Sequence, residues 1–169
     1  MSSPRLTRLE NDYQKLRQQF DGHPNIILEP LGPMPPQKYR VIYRMPSLRL
    51  NQANTPVVSQ VTVVDFELPS AYPKEKPRAV AMESVFHPNF ADYVCIADFW
   101  SPAQSLADII VEVGEMLQWQ KYNVLSPLNA VAADWAVKHR QDLPVGNIDL
   151  RSSGAMPEVK ISIRSAEGQ

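Results

Sequence analysis

The chain has 169 residues, 44% hydrophobic and 21% charged, which fits one globular domain with a sizeable core. Its 17 basic and 18 acidic residues nearly cancel, excluding a whole-chain pull toward nucleic acid or an anionic membrane. With one cysteine, three scattered histidines and no apolar run of roughly 18 to 20 residues, the sequence offers no internal disulfide, zinc pattern, membrane span or signal peptide.

The expected location is therefore cytoplasmic. Sixteen prolines, about twice the usual ~5% share, predict many fixed, extended connections.

In chain order, Leu6, Leu9, Tyr13, Leu16 and Phe20 form one apolar stripe at helical spacing. Ser3 and Pro4 suit the N-cap and first helical position, and Gly22 suits the end. The opposite face, with Arg5, Arg8, Asn11, Lys15 and Gln18, reads as solvated. Four strands are then expected: Asn25 to Leu28, Lys38 to Met45, Val57 to Leu68 and Arg78 to Met82. The stretch Pro46 to Pro56 reads as a connection longer than a tight hairpin, and Tyr72 to Pro77 as a rigid turn.

Ser105-Leu106-Ala107-Asp108 has the spacing of a capping box, and apolar residues behind it predict a helix over 106–119. Gly114 is a weak point within it. Ser126-Pro127 reads as the cap of a last helix running to about Arg140. The fold class is thus α+β: an N-terminal helix, a four-stranded antiparallel meander, an irregular segment and two C-terminal helices. The domain is expected over 1–144. In the tail 145–169, alternation at Val159, Ile161 and Ile163 suits either one extra strand or disorder.

The irregular segment concentrates the chemistry. Cys95 lies between His87-Pro88-Asn89 and Trp100-Ser101-Pro102, and proline disfavours helix and central strand on both flanks. A lone cysteine is most often a small buried hydrophobe, whereas a thiol on a fixed non-regular segment is within reach of a substrate. His87 is the one histidine near it, and Asp92 and Asp98 are the carboxylates beside it.

The ordered set resembles the ubiquitin-conjugating enzyme family. It comprises Tyr72-Pro73 with Pro77, His87-Pro88-Asn89, Cys95, Trp100-Ser101-Pro102 and Ser126-Pro127-Leu128-Asn129, over roughly residues 3 to 141. A single tripeptide is weak, since His23-Pro24-Asn25 repeats one with no cysteine nearby. Three features depart from the familiar members. Asn89 stands only six residues before Cys95, the Cys95-to-Trp100 segment is short, and the loop Gln120 to Leu125 lacks an acidic residue. Together with the lack of further C-terminal helices, these resemble the bacterial branch, whose members are similar to proteins encoded in anti-phage operons.

The resemblance implies covalent catalysis in two acyl transfers. Cys95 would take the C-terminal carbonyl of a ubiquitin-like donor from an activating enzyme and pass it to an amine of a target protein, such as a nucleotide cyclase or a phage protein. No cofactor is expected on this chain, because ATP would be used by the activating enzyme. Neither nucleic acid nor membrane is an expected partner. His87 has two readings, general base or turn brace, and the resemblance favours the brace. Asn89 would either donate to an oxyanion or hold the cysteine loop. Asp98 or Asp92 would ease deprotonation of the incoming ammonium, unless both are simply solvated. Trp100 is expected to anchor the loop. Relatives meet their partners with the first helix, the Tyr-Pro turn and the loop before Trp-Ser-Pro, which would set Arg5, Arg8 and Lys15 against an acidic surface.

Two other classes compete. One is a non-catalytic module of the same fold that binds a ubiquitin-like protein or acts as a scaffold, with Cys95 inert. The other is a cysteine hydrolase, which needs a base and an orienting partner where only His87 is well placed.

Overall fold

A computed structural model describes residues 3–96 and 100–151. Helix α1 (Pro4–Phe20) starts as the sequence predicts, with Ser3 Oγ accepting the Leu6 N–H and proline in the first turn. It ends at Asp21, and Gly22 follows at φ +71°, the left-handed turn that glycine takes without strain. Leu9, Leu16 and Phe20 are buried, but so is Asp12, which lies in the same stripe.

Strands β1 (Ile26–Leu31), β2 (Lys38–Tyr43), β3 (Ser47–Leu50), β4 (Pro56–Ser59), β5 (Thr62–Glu67) and β6 (Arg78–Ala81) follow. The main sheet is antiparallel in the order β1-β2-β5-β6, and β3 and β4 pair as a separate hairpin. The expected single strand over Val57 to Leu68 is therefore two strands in two sheets. Its β-branched residues suit extended backbone throughout, so the break after Ser59 is decided by which neighbours pair, not by propensity. The expected long connection at Pro46 to Pro56 contains most of that hairpin. Asn51 closes it, its Oδ1 accepting the N–H groups of Ala53 and Thr55, and Asn54 takes φ 56°.

Helix α2 (Leu106–Leu117) begins with the predicted capping box of Ser105 and Asp108. Its apolar residues pack with α1 and the sheet into one core, and the Tyr43 hydroxyl donates to the Ile110 carbonyl at 2.7 Å. Helix α3 (Ala130–Lys138) is capped by Asn129, not Ser126. The Leu128 and Asn129 N–H groups are drawn to the Pro88 carbonyl instead, which delays helical geometry by three residues. Beyond α3, residues 145–151 lie along α2: Gly146 N–H donates to the Gln118 carbonyl, and Leu150 enters the core at 2% exposure. The tail alternation at Val159 to Ile163 falls outside the described residues. Among those described, no helix is long and apolar enough to cross a membrane.

Candidate active site

The segment from Phe86 to Ile96 is irregular but heavily pinned. Phe86, Phe90, Val94 and Ile96 are buried, and every anchor has a backbone or packing partner. Phe86 N–H donates to the Leu48 carbonyl of β3, and Val94 N–H donates to the Ala79 carbonyl of β6, both at 2.8 Å. Between them a tight turn pairs Phe90 with Val94 and lets Ala91 N–H reach the Tyr93 carbonyl. That turn takes up the short Asn89-to-Cys95 interval.

Cys95 sits between two of these buried anchors, Val94 and Ile96, with its own side chain half-buried and in the free thiol form. Asn89 fixes it from both sides of the residue. The Asn89 carbonyl accepts the Cys95 N–H at 2.8 Å, and Asn89 Nδ2 donates to the Cys95 carbonyl at 3.3 Å. The next carbonyl, that of Ile96, accepts from Lys76 Nζ at 3.2 Å. A half-buried thiol on so constrained a backbone has a fixed direction of approach, which suits acyl transfer.

His87 is 1% exposed, and both of its ring nitrogens are committed. Nδ1 accepts the Asn89 N–H at 3.0 Å, so Nε2 carries the proton and donates to the Lys121 carbonyl at 3.0 Å. The ring also packs on Trp119 and Phe90, at 4.6 and 5.4 Å between centroids. Burial holds its pKa down to about 3, although the Lys121 carbonyl contact favours the charged form. A neutral ring with no free nitrogen is a brace and has no lone pair to offer a thiol.

The brace reaches the acid-free loop before α3 through bonds that sequence reasoning did not find. Asn89 Oδ1 accepts the Asn123 N–H at 2.9 Å, and Asn123 Oδ1 accepts the N–H groups of Leu125 and Ser126. All three residues of His87-Pro88-Asn89 thus bond across to residues 121–129. The Pro-Leu-Asn motif was the visible signal of this joint, but its partner lies some forty residues earlier in the chain.

Among the carboxylates, Asp92 is exposed on the turn before Cys95, and Asp98 falls outside the described residues. Trp100 donates from Nε1 to the Pro73 carbonyl at 2.7 Å and packs against Tyr72, which ties the Trp-Ser-Pro loop to the Tyr-Pro turn. Arg8, read as solvated from the sequence, is part of the same frame. It donates to buried Asp12, to the Tyr72 hydroxyl and to the carbonyls of Pro102 and Gln104. No group of three metal-binding side chains occurs among the described residues.

Comparison with known proteins agrees with this arrangement. Residues 37–143, more than half of the chain, match the family model described as ubiquitin-conjugating enzyme. None of the curated proteins compared with the chain matches it.

Proposed function

The chain belongs to the ubiquitin-conjugating enzyme family, and on that premise we propose that Cys95 carries a ubiquitin-like protein as a thioester and delivers it to an amine of a target protein. The observation that carries the reading is the half-buried free Cys95 clamped by Asn89 between buried Val94 and Ile96. In loading, the Cys95 sulfur attacks the donor's thioester on the activating enzyme; the new C–S bond forms as the old one breaks, and the departing thiolate takes up a proton. In discharge, a neutral amine attacks the carbonyl carbon, the C–N bond forms, the C–S bond breaks, and Cys95 leaves as thiolate. The amine's proton passes to solvent or to a nearby base.

Asn89 serves both halves. One N–H of its amide holds the Cys95 carbonyl, and the other is of the right type to donate to the oxyanion of the second step. The loop 120–125 has no carboxylate to accept the amine's proton, so Asp98 takes that part in this reading. The short intervals around Cys95 and this acid-free loop support a place in the bacterial branch, in anti-phage conjugation with a nucleotide cyclase or a phage protein as acceptor.

The test uses the products of neighbouring genes: a ubiquitin-like protein, an activating enzyme and ATP, run on gels with and without reductant. A reductant-sensitive adduct that is absent in Cys95→Ala, and becomes a reductant-stable amide in Cys95→Lys, is expected. No adduct with demonstrably active partners, together with a thiol that resists alkylation in the folded state, would return the chain to the non-catalytic binding reading.

A further inference from the structure

Two successive carbonyls at the cysteine are held by side chains from different parts of the fold. Asn89 Nδ2 donates to the Cys95 carbonyl at 3.3 Å, and Lys76 Nζ donates to the Ile96 carbonyl at 3.2 Å. Lys76 stands in the Tyr72-to-Pro77 turn, whose Pro73 carbonyl also accepts the Trp100 Nε1 proton at 2.7 Å. The turn therefore holds the cysteine segment at residue 96 and again at residue 100. It is a firm support, since Tyr72 is buried and bonded to Asp12, and Pro77, next to Lys76, is buried as well.

The contact is unusual for a lysine at the surface. Such a side chain loses rotamer freedom when it is aimed at one neutral carbonyl, and a single exposed hydrogen bond does little to offset that loss. Lys76 is exposed, yet it takes this bond and forms no ion pair among the described residues, even with adjoining Glu75. Its ammonium is thus an unneutralised charge fixed on the residue after Cys95. Standard bond lengths put the Cys95 Cα within about 9 Å of it. That span is close to the Debye length of ~8–10 Å, so salt screens the charge only in part. Glu75 and Asp92 are exposed carboxylates nearby in the chain, and His87 is neutral.

We propose that Lys76 is a positioning residue for the thioester chemistry, fixing the peptide after Cys95 and setting a cation beside its sulfur. In loading, the cation favours the thiolate that attacks the donor's thioester. The new C–S bond forms, the old one breaks, and the departing thiolate takes up a proton. In discharge it favours the same thiolate as leaving group. The amine nitrogen bonds to the carbonyl carbon, the C–S bond breaks, the sulfur keeps the electron pair, and the amine's proton passes to solvent. One side chain thereby serves both steps without touching the reacting carbon. The inference rests on the thioester reading of Cys95 for its chemistry, though not for the charge beside the thiol.

Three variants of the full chain separate charge from hydrogen bonding. Lys76→Arg keeps both, Lys76→Gln keeps a donor without charge, and Lys76→Met keeps neither. Cys95 is first alkylated with anionic iodoacetate and with neutral iodoacetamide, which needs no partner protein. The iodoacetate-to-iodoacetamide rate ratio should fall about threefold in Lys76→Gln and Lys76→Met and stay at the wild-type value in Lys76→Arg. A merely loosened segment would change both rates together and leave their ratio alone. An equal ratio in all four proteins would overturn the proposal.

Each protein is then loaded by exchange with a synthetic peptide thioester ending in Gly-Gly, and its discharge is timed with saturating hydroxylamine. Lys76→Met should discharge about tenfold more slowly than wild type, and Lys76→Arg should recover to within about twofold. Discharge by Lys76→Met at the wild-type rate would overturn the proposal, as would an isopeptide bond formed on Lys76 itself, which would make it an acceptor. If even the wild-type chain forms no adduct, the thioester reading falls separately, and the alkylation ratio still decides whether Lys76 places its charge beside the thiol.

Discussion

Asn89 holds Cys95 through both of that residue's backbone polar groups, accepting its N–H at 2.8 Å and donating to its carbonyl at 3.3 Å. The backbone carbonyl of Asn89 makes the first of these bonds and its side-chain Nδ2 the second, and the same side chain accepts the Asn123 N–H through Oδ1. Holding the Cys95 carbonyl and joining it to the loop before α3 are therefore one side chain's work, carried by opposite ends of its amide.

The two ends are separable by mutation. Asn89→Asp keeps an acceptor for Asn123 but removes the donor, and Asn89→Ala removes both. Thioester formation on Cys95 should survive in each, while discharge to an amine should fall about 10²-fold, the usual effect of losing one oxyanion donor. Asn89→Ala should also lose about 1–3 kcal/mol of stability, because the partly buried Asn123 N–H is left unpaired. Single-turnover discharge and urea unfolding measure the two effects. Wild-type discharge by Asn89→Asp would confine the amide to holding the loop.

The neutral state of His87 makes the fold acid-sensitive. Its pKa is about 3 in the folded chain and near the ordinary 6.5 when unfolded, so below 6.5 the unfolded state binds the extra proton. Stability contributed by this histidine is complete above pH 6.5 and is lost as pH falls toward 3, at up to about 1.4 kcal/mol per pH unit. Urea midpoints from pH 8 to pH 4 should show that decline, and His87→Gln should flatten it from a lower starting stability. The same variant should leave the pH profile of Cys95 alkylation unmoved. A displaced profile would make the imidazole a partner of the thiol, contrary to its bonds to Asn89 and Lys121.

Local signals carried much of the architecture, and long-range partners explain what they missed. Ser3-Pro4 and Ser105-Asp108 cap their helices because a cap needs only residues within one turn. The order of Tyr-Pro, His-Pro-Asn, Cys and Trp-Ser-Pro already pointed to the site region. Ser126-Pro127 had equally good cap chemistry and lost to Asn129, because the Pro88 carbonyl, distant in sequence, claims the Leu128 and Asn129 N–H groups. Arg8 reads as solvated from its helical face alone, yet it bonds Asp12, which the structure buries. Its burial depends on Tyr72, sixty residues further on, and no spacing rule reports that.

That buried carboxylate supports a third prediction. Asp12 accepts from Arg8 Nε at 2.9 Å and from the Tyr72 hydroxyl, and Arg8 Nη2 donates to the same hydroxyl at 3.0 Å. Removing Asp12 takes the carboxylate from the partly buried Arg8, which keeps the Pro102 and Gln104 carbonyls, and leaves the Tyr72 hydroxyl without its acceptor, so Asp12→Ala should cost about 1–3 kcal/mol. Tyr72→Phe should cost about 1.5–3 kcal/mol, the scale of one hydrogen bond to a charged group. The double variant should lose about 0.5–3 kcal/mol less than the sum, because the three groups share one network. Strict additivity in urea unfolding would show that the hydroxyl and the carboxylate act independently.

Gly114 carries the last prediction. On an isolated helix, Gly→Ala stabilises by about 0.8–1.0 kcal/mol. Here a Cβ at 114 would stand 2.2 Å from Leu150 Cδ1 and 3.2 Å from Tyr43 Cε1, so α2 has no room for it while residues 145–151 lie in place. Tyr43 is fully buried and tied to Ile110, so Leu150 is the group that must yield. Gly114→Ala should therefore lower stability and speed hydrogen exchange at Gly146 and Ile148, whose N–H groups donate to Gln118. Leu150→Ala alone should cost about 2–5 kcal/mol by opening a cavity. In that background the added methyl enters emptied space, so Gly114→Ala should become neutral or stabilising. A Gly114→Ala variant that gains stability in the wild-type background, with unchanged exchange at Gly146 and Ile148, would mean that the segment does not press on α2.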